Sequence, residues 1–277
     1  MDGVTEIHTR SVPVAGSPRG PVILALVCAM LSLMPAVRLS AADAAKAPET
    51  GKSAAGPDAA AVQVFRRFVE VSGGEAAIRK RASRLTVASF ESPTLGIKGT
   101  LEMLQAVPRR MLQKMIVGNG AALTMGTDGK VAWMNLPGAG VQQMDGLQRD
   151  QFIEESDLLG LLEYSTRFAY ATVKAPTKVG EVDCVVVSGI SRLGKPETMY
   201  FAKETGLLHR WDRPKLNPAS EWSDTQTVYE DYRDVDGLKV PFKISQKEPA
   251  DQAFVLIVTS VKHDVDAGED RFKQPSP

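Results

Sequence analysis

Apolar residues recur at helical spacing just past residue 60: Val62, Phe65, Phe68 and Val69, with Arg66, Arg67 and Glu70 turned away. That spacing predicts an amphipathic helix of about three turns. Gly73-Gly74 ends it, and Ser72 followed by Glu75 predicts a capping box opening a short second helix over Ala76-Ala77-Ile78. From Arg84 the period changes to two. Strands are predicted over residues 85–91, 98–107, 109–117, 122–126 and 130–135, and again over 168–174, 181–190, 197–203, 207–213, 225–232, 238–245 and 253–262. Asp128-Gly129, Glu204-Thr205-Gly206 and Val235-Asp236-Gly237 mark reversals between them. Leu238, Val240, Phe242 and Ile244 alternate with Lys239, Pro241, Lys243 and Ser245, as a sheet with one wet face requires. One helical interruption is predicted over 146–164, where Leu147, Phe152, Ile153, Leu158, Leu159, Leu161 and Leu162 form an apolar stripe broken near Gly160. Strands joined by short turns, without a helix between each pair, predict an antiparallel meander that this helix covers or plugs.

Two strands depart from simple alternation. Leu101, Met103 and Leu104 in one, and Met111, Leu112, Met115 and Ile116 in the next, place apolar groups on both faces. Such strands need cover on both sides. Helices supply one cover, and a ligand is a candidate for the other, because methionine adapts to an irregular guest. Plain core filling is the competing reading.

Composition narrows the class of partner. The 277 residues carry 33 Lys and Arg against 33 Asp and Glu, with no basic block. Nothing in that balance points to nucleic acid, and it favours a partner recognised by shape and apolar area. Residues 21–37 read PVILALVCAMLSLMPAV, preceded by Arg10 and Arg19 and followed by Ser40-Ala41-Ala42-Asp43-Ala44. This is the pattern of a secretory signal peptide, expected to span residues 1–44 and to be cleaved after Ala42 or Ala44; an uncleaved membrane anchor is the alternative. Residues 45–61, rich in Ala, Gly, Pro and Lys, are expected to form a flexible leader, and 62–277 a single domain in the periplasm. With the signal removed, Cys184 stands alone and reads as a small buried residue of a strand.

The chain is poor in catalytic motifs. His8, His209 and His263 are its three histidines, without metal-ligand spacing, so neither a metal nor another cofactor is expected. No Gly-x-Ser-x-Gly is present, and Gly118-Asn119-Gly120 lacks a phosphate-loop continuation. Glu230, Asp231, Asp234 and Asp236 do not match a calcium loop and read as a solvated hairpin end. No catalytic residue is assigned. A hydrolase without a recognisable motif stays only as an alternative.

A series of short motifs then points to a family. Val71-Ser72-Gly73-Gly74-Glu75-Ala76-Ala77, Lys98-Gly99-Thr100-Leu101-Glu102 and Thr127-Asp128-Gly129-Lys130-Val131-Ala132-Trp133 come first. Glu197-Thr198-Met199-Tyr200-Phe201, Glu204-Thr205-Gly206-Leu207-Leu208 and Tyr232 to Phe242 follow in order. In this order the chain resembles the outer-membrane lipoprotein-sorting superfamily of LolA/LolB-like periplasmic carriers. The resemblance implies a mainly β fold with some α: a strongly curved antiparallel sheet, an incomplete barrel, with helices on its concave side. It also implies a carrier or binding module for a lipid or for lipoprotein acyl chains, acting as a monomer. An envelope sensor or protein-interaction domain, with an envelope protein as partner, is the alternative. Leu101, Met103, Met115, Trp133, Phe201 and Trp211 are the expected lipid-binding residues. Arg84, Arg109 and Arg110 are available for the sheet arginine that controls opening in such carriers.

Overall fold

At Asp236 and Gly237 the backbone takes φ of 53° and 82°, joining two strands whose paired residues Val235 and Leu238 flank this two-residue turn. Positive φ at both positions matches the right-handed twist of the strands, and asparagine, aspartate and glycine tolerate it best. Tight reversals of this kind build most of the molecule, seen here in a computed structural model that describes residues 56–118, 120–160, 162–216, 222–247 and 253–275. The expected signal segment with Cys28 lies outside the described residues, as does the leader up to residue 55.

The first meander runs β2 (Ser83–Ser92), β3 (Ile97–Ala106), β4 (Arg110–Val117), β5 (Ala121–Thr127), β6 (Ala132–Leu136) and β7 (Gly140–Met144). The second runs β8 (Phe168–Val179), β9 (Val182–Ser191), β10 (Pro196–Ala202), β11 (Leu208–Leu216), β12 (Trp222–Val235), β13 (Leu238–Lys247) and β14 (Ala253–His263). Strand β14 pairs with β2, which fuses both meanders into one sheet. A short β1 (Gly56–Pro57) adds to β8 as the parallel pair. Helices α1 (Ala59–Val71), α2 (Glu75–Arg79), α3 (Gly146–Glu155) and α4 (Tyr164–Arg167) complete the described elements, with a final 3-10 turn at Glu269–Phe272.

The expectation of a strongly curved incomplete barrel is overturned. The fourteen strands form an open sheet, ordered β1-β8-β9-β10-β11-β12-β13-β14-β2-β3-β4-β5-β6-β7, and it is neither strongly curved nor closed. Strands add outward on both sides of the β14–β2 pair and end at β1 and β7. Alternation and turn chemistry specify which neighbours pair; they carry no information about closure. The barrel came from the resemblance alone.

Period-two alternation sorts the core by face. Ala88, Phe90, Leu101, Met115, Leu123, Met125, Leu238 and Val240 belong to one cluster, with Ile78, Phe152 and Ile153 of the helices packed on it. Ala61 and Phe65 of α1 anchor a second cluster with Phe168, Val187, Met199, Phe201 and Trp211. On the opposite face, Leu104 and Ala106 pack under Phe272, so the C-terminal segment covers β3 where the helices do not. Both faces of β3 are therefore filled by the chain itself.

The helices differ from expectation in three ways. Helix α1 starts at Ala59, earlier than the pattern at Val62, because Asp58 caps it: its carboxylate accepts from the Ala61 backbone N–H at 2.7 Å. Ser72 does not cap the second helix. It ends α1, and its carbonyl accepts from Lys239 N–H at 3.0 Å, while Gly74 precedes α2 with φ of 86°. Gly73 lies so close to β13 that a Cβ there would fall 2.5 Å from the Gly237 carbonyl oxygen. Finally, α3 stops at Glu155, and Leu147 on it is exposed. The Ser156 hydroxyl lies 2.7 Å from the Ile153 carbonyl oxygen and 2.8 Å from that of Arg109, so its single proton is shared between them, and the Asp157 carboxylate accepts from Leu159 N–H. Side chains that bond the nearby backbone offer it an alternative to helix.

Candidate functional site

The two helix-side core clusters do not merge. Between them lies a cavity of about 350 Å³, bounded by α1, α2, the turns after α3 and strands β2, β3, β11, β12, β13 and β14. Its apolar wall includes Phe68 and Val69 of α1, Leu158, Leu159 and Leu162 from the turns, and Trp211 of β11. Leu158, Leu159 and Leu162 of the expected helical stripe thus line the cavity from turns; Leu161 lies outside the described residues.

Opposite this wall the floor is polar. Arg84 of β2 pairs in register with His263 of β14 on one side and Gln105 of β3 on the other, making a polar row across three strands. Arg84 Nη2 donates to Gln105 Oε1 at 2.6 Å, and Gln105 Nε2 donates to the Ser156 carbonyl at 3.4 Å. The row thereby ties the sheet to the end of α3. The Arg84 side chain reaches the cavity and is half-buried there, and this burial pulls its guanidinium down to about 10. Its Nε is buried without a hydrogen-bond partner.

A second polar group closes the side of the cavity. Arg167, buried at the end of α4, lies 3.4 Å from Glu154 and 3.5 Å from Glu197. Its guanidinium also stacks over the Trp211 ring at 4.5 Å, with Arg213 over the same ring at 4.2 Å. The Trp211 indole N–H donates to Glu197 Oε2 at 3.0 Å. Glu155 meets Arg213 at 3.3 Å and Lys215 at 3.4 Å. Burial alone would push the Glu155 carboxyl up, but Lys215, Arg213 and Arg167 together reverse this and hold it below the usual range. Glu154 goes the other way: burial raises it, and Arg167 offsets only part of that.

The two carboxylates act oppositely in acid. A depressed group stabilises the fold above its unfolded value, and that stability is lost as pH falls through the folded value. A raised group costs stability while ionised and relieves that cost as it protonates. Thermal midpoints measured between pH 7 and pH 3 are therefore expected to change little at first. They should then fall steeply once the pH drops below the ordinary glutamate range and through the lowered value of Glu155. In Glu155→Gln the midpoint should be lower at pH 7 and the acid fall shallower; an unchanged acid limb would refute the assignment.

The six residues expected to bind lipid are dispersed by the fold. Trp211 lines the cavity. Leu101 and Met115 are buried in the first core cluster, and Phe201 in the second, against Phe65 and Phe68. Met103 is half-buried on the helix-side face, between Thr86 and Gln113. Trp133 points to the opposite face, where its indole N–H donates to the Phe272 carbonyl at 3.0 Å. Arg84 and Gln105, which reasoning from apolar positions passed over as site residues, lie on the floor. Their parity was the available signal: Arg84 shares a face with Ala88 and Phe90, and Gln105 with Leu101.

Other candidate chemistry is sparse. His263 Nδ1 lies 3.0 Å from Asp236 Oδ2, and among the described residues no hydroxyl or thiol bonds that histidine. Cys184 is buried in β9. No group of three or more His, Cys, Asp or Glu among the described residues is placed to hold a metal. A wider depression of about 840 Å³ beside Tyr232 is lined by Glu181, Asp183, Glu204 and Glu230 together with Lys203 and His209, and by the apolar Val182, Leu207 and Leu208.

No protein-family model and no curated protein matches the chain. Solved structures do. A DUF1329 family protein from Desulfovibrio piger superposes with a TM-score of 0.53 at 12% identity, over 76% of this chain and 96% of that one. A LolA superfamily protein from Nitrosomonas europaea gives a TM-score of 0.51 at 11% identity, over 78% of this chain and 99% of that one. At such identity the likeness is one of fold alone.

Proposed function

We propose that this chain is a non-catalytic binding module of the cell envelope that holds an acyl chain of a lipid or lipoprotein. The observation that carries the reading is the cavity between sheet and helices, with Phe68, Leu158, Leu159, Leu162 and Trp211 on its wall. Its size falls at the lower end of small-molecule sites. Each CH₂ buried there contributes about 0.8 kcal/mol, so a modest length of chain gives reversible affinity, as a carrier that must release requires. The signal-like residues 1–44 and the fold likeness to a LolA superfamily protein support a periplasmic setting. On this reading α1, which covers one side of the cavity, and the turns after α3 are the elements that yield to admit the guest.

Native mass spectrometry of the exported protein, purified gently from membrane-containing cells and followed by organic extraction, tests this. An acyl-bearing ligand at near-stoichiometric occupancy is expected. An empty protein that also fails to take up fluorescent fatty acids would remove the proposal.

A further inference from the structure

Most charged groups around the cavity are already matched. Arg81 pairs with Asp264 at 2.8 Å, Arg167 with Glu154 and Glu197, Arg213 with Glu155, and Lys239 with Asp234 at 3.5 Å. His263 faces Asp236. Arg84 is the exception: among the described residues it has no carboxylate within ion-pair distance, only the neutral Gln105 amide. An unpartnered, buried Nε is a feature it shares with Arg81, Arg167 and Arg213; what sets Arg84 apart is a largely desolvated guanidinium without a carboxylate, and such groups are ordinarily paired. The burial that lowers its basicity is the same cost seen from the proton's side.

The apolar wall and this unmatched cation belong to one cavity, so they address one ligand. We propose that Arg84 is the anion anchor of the cavity, and that the preferred guest is a single-chain amphiphile whose carboxylate meets Arg84 while its hydrocarbon lies along Phe68, Leu158, Leu159, Leu162 and Trp211. The proposal rests on the acyl-chain reading above and names its ligand class. Gln105 is a positioning residue: it holds Nη2 and leaves the rest of the guanidinium head to the incoming acid. Negative charge from Glu154, Glu155 and Asp157 nearby is already engaged by Arg167, Arg213, Lys215 and Arg109, so the net field at Arg84 favours an anion. A charge-assisted hydrogen bond of this kind is expected to discriminate by tenfold or more.

The test compares dodecanoate with dodecanol, equal in chain length and different in head-group charge, by calorimetric titration at pH 7.5 against the delipidated protein. Dodecanoate is expected to bind at least tenfold more tightly. In Arg84→Met the two should fall within about twofold of each other, with dodecanoate losing the larger share of its affinity; Arg84→Gln, which retains a polar group beside Gln105, should do the same if the methionine variant misfolds. Equal binding of acid and alcohol by the unaltered protein would overturn the anchor and leave the acyl cavity standing. So would a preference that survives both substitutions. Failure of both probes to bind would overturn the anchor together with the reading it rests on.

Discussion

Arg167→Met is expected to destabilise the protein by about 3–5 kcal/mol, because it leaves buried carboxylates without their cation. Arg167 is the shared partner of Glu154 and Glu197, and Glu197 is itself buried. Methionine matches much of its volume and can still lie on Trp211, so the loss isolates charge rather than packing. The indole N–H on Glu197 would be the strongest remaining contact for that carboxylate, and a neutral donor does not replace a guanidinium. A second substitution separates the causes. Glu197→Gln in the Arg167→Met background removes the orphaned charge while keeping an oxygen for the indole, and should restore a good part of the loss. Denaturant titration at pH 7 measures both variants. A loss below about 1 kcal/mol for Arg167→Met, the range of a solvated surface pair, would show that water reaches these groups.

The second large effect belongs to Phe65. Its ring is fully buried, stacked on Tyr164 at 5.0 Å and Phe168 at 5.8 Å, and edge-on to Phe201 at 6.0 Å. It is the point where α1 is fastened to β8 and β10 and to α4. Phe65→Ala should cost about 3–5 kcal/mol, the range for a large aromatic deleted from a core that cannot collapse around the space. The neighbouring rings come from three separate elements, so the cavity would persist. A helix of this length is marginal by itself, so α1 should also loosen, seen as faster backbone amide exchange over residues 59–71 than over β9. Phe68→Ala is the comparison. Phe68 is only partly buried and lines the cavity, so its removal should cost distinctly less. Equal costs would mean that α1 is held by area alone and not by the Phe65 contacts.

Local signals carried most of the element order. Asp236-Gly237 and Thr205-Gly206 made reversals that backbone sterics demand, and Leu238, Val240 and Phe242 announced one buried face. Strand β7 leaves no periodic signal in the sequence, since Gln142 and Gln143 are exposed on an edge and give no apolar alternation. The pairing of Gly56–Pro57 with β8 left no local signal either, being two residues long. The stripe over 146–164 was real in its apolar content, but Ser156 and Asp157 captured backbone groups and broke the helix, a competition invisible to periodicity. For the site, only Trp211 among the six chosen residues meets the cavity. Choosing apolar strand residues selected the core, because the residues filling a core and those lining a cavity follow the same alternation. What distinguished the cavity was the opposite sign: polar groups such as Arg84 and Gln105 at positions where alternation calls for apolar ones.

The pairing of β14 with β2 sets the order in which this molecule can come into existence. Each meander is assembled from neighbours in the chain and can form from local hairpins, whereas His263 must find Arg84 across most of the described chain. Contacts of such separation pay their loop-closure cost late. Because every other long strand of the sheet lies between β2 and β14 in the chain, a chain delivered from its N-terminus presents one half of the polar floor long before the other. The chamber around Arg84 should therefore be the last region to mature, and truncation anywhere in β14 should leave two hairpin arrays with no chamber between them.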